Sequence, residues 1–124
     1  MDEREMVRSL ALARVGVGAG MFALPGLTAA TWVGRDAKTA GVRTLSRGFG
    51  VRDAVIGVGL FRALENGDSD EIRRWLLFGA AADAADLVGT LASWRRLPPV
   101  RRTLVLAGIL GFGGLGLWLS NQFA

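Results

Sequence analysis

Two long stretches without a charged residue constrain this 124-residue chain more than any other feature. The first covers Val15–Gly34 and the second covers Thr103–Ala124. Each approaches the roughly 20 apolar residues with which an α-helix crosses about 30 Å of hydrocarbon. A small soluble domain has difficulty burying a helix that is apolar on all sides. The sequence therefore predicts an all-α integral membrane protein whose strongest spans lie in these stretches.

Two further apolar runs and the turn residues between them complete the predicted architecture, an up-down bundle of four antiparallel helices. Pro25-Gly26 is expected to end or kink the first helix near Leu24, and continuation to Val33 stays open. Asp68, with Glu71 three residues later, predicts the N-cap of the third helix. Within a single domain over 1–124, the predicted helices cover about 6–24, 50–64, 75–94 and 103–120. An interfacial segment is expected over 26–47, in which 34–47 is either a short amphipathic surface helix or a solvated loop.

Tryptophan positions agree with these spans. Trp75 and Trp94 bracket the third helix, and nineteen steps of about 1.5 Å give roughly 28 Å, close to the hydrocarbon thickness. Trp32 and Trp118 fall near the ends of their segments. The pattern predicts that all four lie in the aromatic belts of a bilayer.

The distribution of basic residues along the chain predicts how the helices are oriented in the membrane. A net charge of +4 and a pI near 11.2 are compatible with nucleic-acid binding, but the basic residues gather in short connections without a nucleic-acid-binding motif, so no nucleic-acid partner is predicted. By the positive-inside rule, connections one and three are cytoplasmic and both termini lie outside. The eight basic residues that decide this are Arg35, Lys38, Arg43, Arg47, Arg95, Arg96, Arg101 and Arg102.

The absence of Cys and His limits the available chemistry. It excludes thiolate metal sites, cysteine nucleophiles and imidazole bases, so neither a metal nor a cofactor is predicted. Ionisable residues within the spans carry the remaining possibilities, because a charge at the bilayer centre costs at least about 2.5 to 3.5 kcal/mol and needs a partner. We predict a buried polar cluster of Arg14, Arg52, Asp53, Asp83 and Asp86.

Two interpretations of this cluster stay open. Asp83 and Asp86 are three residues apart and share a helix face, where neighbouring carboxylates need a cation, an arginine or a retained proton. The favoured interpretation is an Arg/Asp network that locks the helices in register. The alternative is a proton relay, a Mg²⁺-phosphate site or an acid/base pair, since three acids outnumber two arginines.

Small residues at helical spacing suggest close helix packing, with homodimerisation as the alternative. The motifs are Gly16 with Gly20, the alanines at 80, 81, 84 and 85, and Ala107 with Gly111. A weak internal similarity also relates Gly18-Ala-Gly20-Met-Phe22 to Gly57-Val-Gly59-Leu-Phe61. Its favoured explanation is independent use of small residues, and duplication is the other.

The motifs around Arg47-Gly-Phe-Gly50-Val-Arg52-Asp53 and Asp83-Ala-Ala-Asp86 resemble a group of small four-helix membrane proteins from high-GC bacteria, catalogued as a domain of unknown function. The resemblance covers about 14–94 and implies a shared polar constellation without an assigned activity. Besides the lipid bilayer, the expected partner is a second copy or another membrane protein. We expect an accessory or interaction protein without an assignable activity. The alternatives are a small proton-coupled transporter or membrane enzyme using Asp53, Asp83 and Asp86, and a soluble helical binding module.

Overall fold

In the computed structural model, which describes residues 1–124, the chain is all-α and contains five α-helices. The helix added to the four expected ones is short, and 3₁₀ turns at Gly34–Lys38 and Trp94–Arg96 lie in the connections. The α-helices are α1 (Glu3–Ala23), α2 (Pro25–Val33), α3 (Ala40–Asn66), α4 (Ser69–Ala92) and α5 (Pro99–Gln122).

Helix boundaries differ from the prediction mainly at the first connection. Leu24 has a non-helical backbone, so the chain bends at the expected place, but helix resumes at Pro25 and continues to Val33. Proline is accepted there because the first helical residue needs no intrahelical N–H partner. The segment over 26–47 therefore comprises most of α2, a 3₁₀ turn and the start of α3, and its location at a membrane interface stays a prediction. The Thr39 side chain caps α3, which begins at Ala40, ten residues before the predicted start at 50.

The second turn and the third connection follow local sequence signals. The Asp68 carboxylate accepts a hydrogen bond from the Glu71 amide at 3.1 Å, which confirms the predicted N-cap. The Glu71 side chain pairs with Arg74 instead of completing a reciprocal box. α4 ends at Ala92, so Trp94 lies in the following turn, and α5 begins at Pro99.

Neighbouring long helices pack antiparallel, and the closest pair is α1 with α3. A Cβ atom at Gly57 would lie 2.6 Å from the Ala11 carbonyl oxygen, and one at Gly50 would lie 2.5 Å from the Gly18 carbonyl oxygen. Glycine is required at both places because the two backbones touch. α3 also packs on α4, and α4 packs on α5.

The α1–α3 pair extends the internal similarity beyond the residues noted in the sequence. With an offset of 39, Ala11, Arg14 and Gly18 on α1 correspond to Gly50, Asp53 and Gly57 on α3, and all six are buried. Gly18 faces Gly50 and Ala54, while Gly57 faces the corresponding Ala11 and Val15. The pair is therefore approximately two-fold symmetric, with an arginine and an aspartate at equivalent positions.

Three helices, α1, α4 and α5, are long and apolar enough to cross a membrane. α3 does not meet this criterion because Arg47, Arg52, Asp53 and Arg62 interrupt its apolar run. Only 26 of 124 residues are buried, and large apolar side chains such as Val55, Phe78 and Val88 remain on the outside. Such a surface is unusual for a soluble monomer and indicates that the helices can face lipid.

Candidate functional site

The five ionisable residues singled out in the spans meet between α1, α3 and α4. They form one chain of alternating charge, which we call the Arg/Asp cluster. Its order in space is Asp83, Arg14, Asp53, Arg52 and Asp86. Three carboxylates and two guanidiniums give the cluster a formal charge of −1.

Arg14 on α1 is the centre of the cluster and is only 2% exposed. Its two terminal nitrogens donate to the two Asp83 oxygens, with Nη1–Oδ1 at 3.3 Å and Nη2–Oδ2 at 2.5 Å. Nη1 also lies 3.6 Å from Asp53 Oδ1. This two-pronged geometry suits the planar guanidinium and ties α1 to α4.

Arg52 on α3 holds the other half of the cluster. Its terminal nitrogens donate to the two Asp86 oxygens at 2.9 and 2.7 Å, and Nη2 lies 3.3 Å from Asp53 Oδ1. Asp53 therefore sits between both arginines, and each of the three carboxylates has a guanidinium partner. The Arg52 side chain is 28% exposed, so this half of the cluster is the more open one.

Glycines and aromatic rings build the walls of the cluster. A Cβ atom at Gly79 would lie 2.9 Å from Arg14 Nη2, and one at Gly113 would lie 3.3 Å from Asp83 Cβ. The Phe112 ring centre lies 5.6 Å from Arg14 Cζ, and the Phe49 ring centre lies 4.9 Å from Arg52 Cζ. Both distances are within the range of cation–π attraction. The five charged residues of the cluster could be predicted from the sequence, but none of these four supporting residues could.

A cavity of about 370 Å³ reaches the open half of the cluster. Arg52 and Asp86 contribute to its wall together with Trp32, Phe49 and Thr90. The Nε atom of Arg52 is buried and has no hydrogen-bond partner. No group of three or more acidic side chains is arranged to hold a metal ion, and Asp83 and Asp86 each hydrogen-bond to a different arginine.

The four tryptophans do not share one environment. Trp32 packs on Phe49 and donates its Nε1 hydrogen to Thr90 at 3.2 Å. The Trp75 ring packs against Gly59, where an added Cβ atom would lie 2.4 Å from Trp75 Cε2. The Trp94 ring centre lies 4.7 Å from Arg102 Cζ. Trp118 is the exposed one. Three of the four thus pack partly against protein, as well as lying near helix ends.

The predicted small-residue motifs have different outcomes. Ala80 of the alanine motif on α4 is buried and would lie 4.0 Å from a Cβ at Gly116 on α5, so this motif packs within the bundle. Gly16 and Gly111 have no neighbouring atom within 4 Å of an added Cβ, and Ala107 is exposed. Gly18, Gly50 and Gly57 make the close helix contacts instead. The expectation that the Gly16 and Ala107 motifs pack within the bundle is therefore wrong.

Comparison with protein-family models, curated proteins and solved structures finds no match to this chain. The resemblance to the high-GC bacterial membrane group stays a prediction.

Proposed function

We propose that the protein is an integral membrane protein with four spans and serves as an accessory or interaction protein. The Arg/Asp cluster then has a structural role. The observation that carries this proposal is the internal pairing of its charges: every carboxylate has a guanidinium partner on a different helix. Paired charges between helices hold those helices in register, because a buried charge without its partner is costly.

α3 fits the proposal as the fourth span despite its charges. Arg52 and Asp53 belong to the cluster, while Val51, Val55 and Val58 form an exposed apolar stripe at helical spacing. In a bilayer, this stripe would face lipid and the charges would be paired inside the protein. The low hydropathy of α3 therefore comes in part from Arg52 and Asp53, which lie on the face that packs inside the protein.

An exposed row of glycines on α5 supports an interaction role. Gly108, Gly111 and Gly114 have no neighbouring atom within 4 Å of an added Cβ. Small residues let another membrane helix approach closely, so this face suits a second copy or another membrane protein. Neither packing within the bundle nor the Arg/Asp cluster uses it.

The test is cross-linking in native membranes followed by detergent extraction. The wild type should stay in the membrane fraction and give a cross-linked species that Gly111→Leu removes. Gly48→Leu is the matched control, because Gly48 is also exposed and without neighbours but lies on α3. Recovery in the aqueous fraction without detergent would end the membrane proposal, and equal cross-linking of both variants would end the assignment of the α5 face.

A second candidate function is supported by the cavity beside Arg52 and Asp86. A small proton-coupled transporter or membrane enzyme using Asp53, Asp83 and Asp86 would load its proton or substrate there. Proteoliposomes with a pH-sensitive dye should then show proton flux that Asp86→Asn abolishes and Asp70→Asn, a change at the exposed end of α4, leaves intact. A wild type without flux, supplied with a proton gradient, would argue against proton coupling.

A further inference from the structure

A second cavity, of about 600 Å³, lies at the basic end of the molecule, and no residue of the Arg/Asp cluster lines it. It is lined by the end of α2, both 3₁₀ turns and the start of α5. Four basic side chains contribute to its wall. We call it the basic cavity and define it by Arg35, Lys38, Arg96 and Arg101.

None of these four cations makes an ion pair, although Asp36 lies in the same wall. At the opposite end of the molecule, Arg8 pairs with Glu65 and Arg74 pairs with Glu71. The basic cavity therefore concentrates positive charge that the chain itself does not neutralise. Arginine and lysine donors of this kind recognise phosphate oxygens.

The backbone holds the two sides of the cavity together. Gly34 adopts a φ of 67°, a conformation that favours glycine, and a Cβ there would lie 2.8 Å from Pro98 Cγ. Arg101 donates a hydrogen bond to the Ala30 carbonyl oxygen, so α5 is tied to α2 beside the cavity. The four cationic groups thus come from the two 3₁₀ turns and the start of α5, which meet beside the end of α2.

Apolar surface adjoins the basic cavity. Leu27 lies one helical turn before Ala30 on α2, and Leu104 lies one turn after Arg101 on α5; they are 69% and 66% exposed. A ligand with a phosphate group and long hydrocarbon chains matches this combination of a positively charged cavity and an adjoining apolar surface. Basic pockets between membrane helices commonly take anionic headgroups.

We propose that the basic cavity binds the phosphate headgroup of an anionic phospholipid, whose acyl chains lie along α2 and α5. This inference rests on the proposed membrane location. It goes beyond that location because it assigns a specific lipid site to one junction.

The experiment measures lipid retention and thermal stability of the purified protein with phosphatidylglycerol, with phosphatidylcholine, or with inorganic phosphate alone. Phosphatidylglycerol should be retained and should raise the melting temperature, whereas zwitterionic phosphatidylcholine should not. The cavity variant is Lys38→Gln with Arg96→Gln, since both side chains are exposed and neither makes a hydrogen bond within the protein. It should retain about tenfold less phosphatidylglycerol than the control, because cationic side chains near an anionic headgroup each contribute severalfold.

The control is Arg47→Gln with Arg95→Gln, which removes the same charge at the same end but leaves the cavity wall intact. Because Arg47 donates a hydrogen bond to the Phe22 carbonyl oxygen at 3.4 Å, the two double variants are compared by lipid retention and not by melting temperature. Equal losses in the two double variants would overturn the proposal in favour of general surface charge. Stabilisation by inorganic phosphate to the same degree would overturn the lipid assignment in favour of a free anion. A protein that fractionates with membranes but shows no preference for phosphatidylglycerol would overturn this inference alone, whereas recovery without detergent would overturn the membrane location.

Discussion

Arg14 shows how one residue can fix the positions of three helices. Its guanidinium is enclosed by Asp83, Asp53, the Gly79 surface and the Phe112 ring. Sequence reasoning could find the charges, because an ion inside an apolar stretch needs a partner wherever that partner lies. It could not find Gly79 or Phe112, because small and aromatic residues are common in apolar helices. Their importance depends on which helix face meets Arg14.

Removing Arg14 alone should destabilise the protein strongly. Arg14→Leu leaves the buried Asp83 without its partner, and we expect a loss of about 3 to 5 kcal/mol in the free energy of unfolding, as for other broken buried pairs. The double variant Arg14→Leu with Asp83→Leu should recover most of this loss, since both charges are then gone. Unfolding in detergent measures the three variants. A tolerated single variant, or a double variant no better than the single one, would contradict the structural role.

At the scale of helices, the sequence predicts where helices form better than it predicts which residues make the contacts between them. The long apolar segments and the Asp68 cap are visible in the chain, and each becomes helix as expected. The start of α3 at Ala40 was missed because basic residues in its first turns resemble a solvated connection. The up-down arrangement predicts that α1 packs beside α3, but it does not identify Gly50 as a contact residue, because a glycine motif does not reveal which face it occupies.

The α1–α3 contact should respond to a single methyl group. Gly18→Ala would place a Cβ against the Gly50 carbonyl and 2.6 Å from the Ala54 nitrogen, and these backbone atoms cannot rotate away. We expect a loss of about 1 to 3 kcal/mol, the usual cost of overpacking. Gly16→Ala, two residues earlier on an open face, should be neutral or slightly stabilising. Thermal unfolding of the two variants provides the comparison, and equal melting temperatures would refute the close contact.

Across the whole molecule, charge is distributed unevenly between the ends. The eight basic residues of connections one and three occur with one acid, Asp36, whereas the opposite end carries more acids than bases. The sequence supports this division without any structure, because it needs only the order of spans and connections. Which end faces the cytoplasm is a proposal from the positive-inside rule.

The proposed orientation predicts the location of the C-terminus. A reporter that is active only outside the cytoplasm should work when fused after Ala124, because an even number of spans returns the chain to the side where it began. The same reporter inserted after Lys38, in the first connection, should be silent. The reverse pattern would show that the eight basic residues face outward, and activity at both sites would contradict the four-span arrangement.

The order of charges along the chain has a consequence for biosynthesis. When synthesis has reached Asn66, the cluster contains two arginines and one aspartate, and the two remaining aspartates arrive only with α4. In the proposed four-span arrangement, a chain that stops early therefore holds one more arginine than aspartate in the bilayer. Arrival of α4 then removes the cost of that unpaired charge, which is at least about 2.5 to 3.5 kcal/mol.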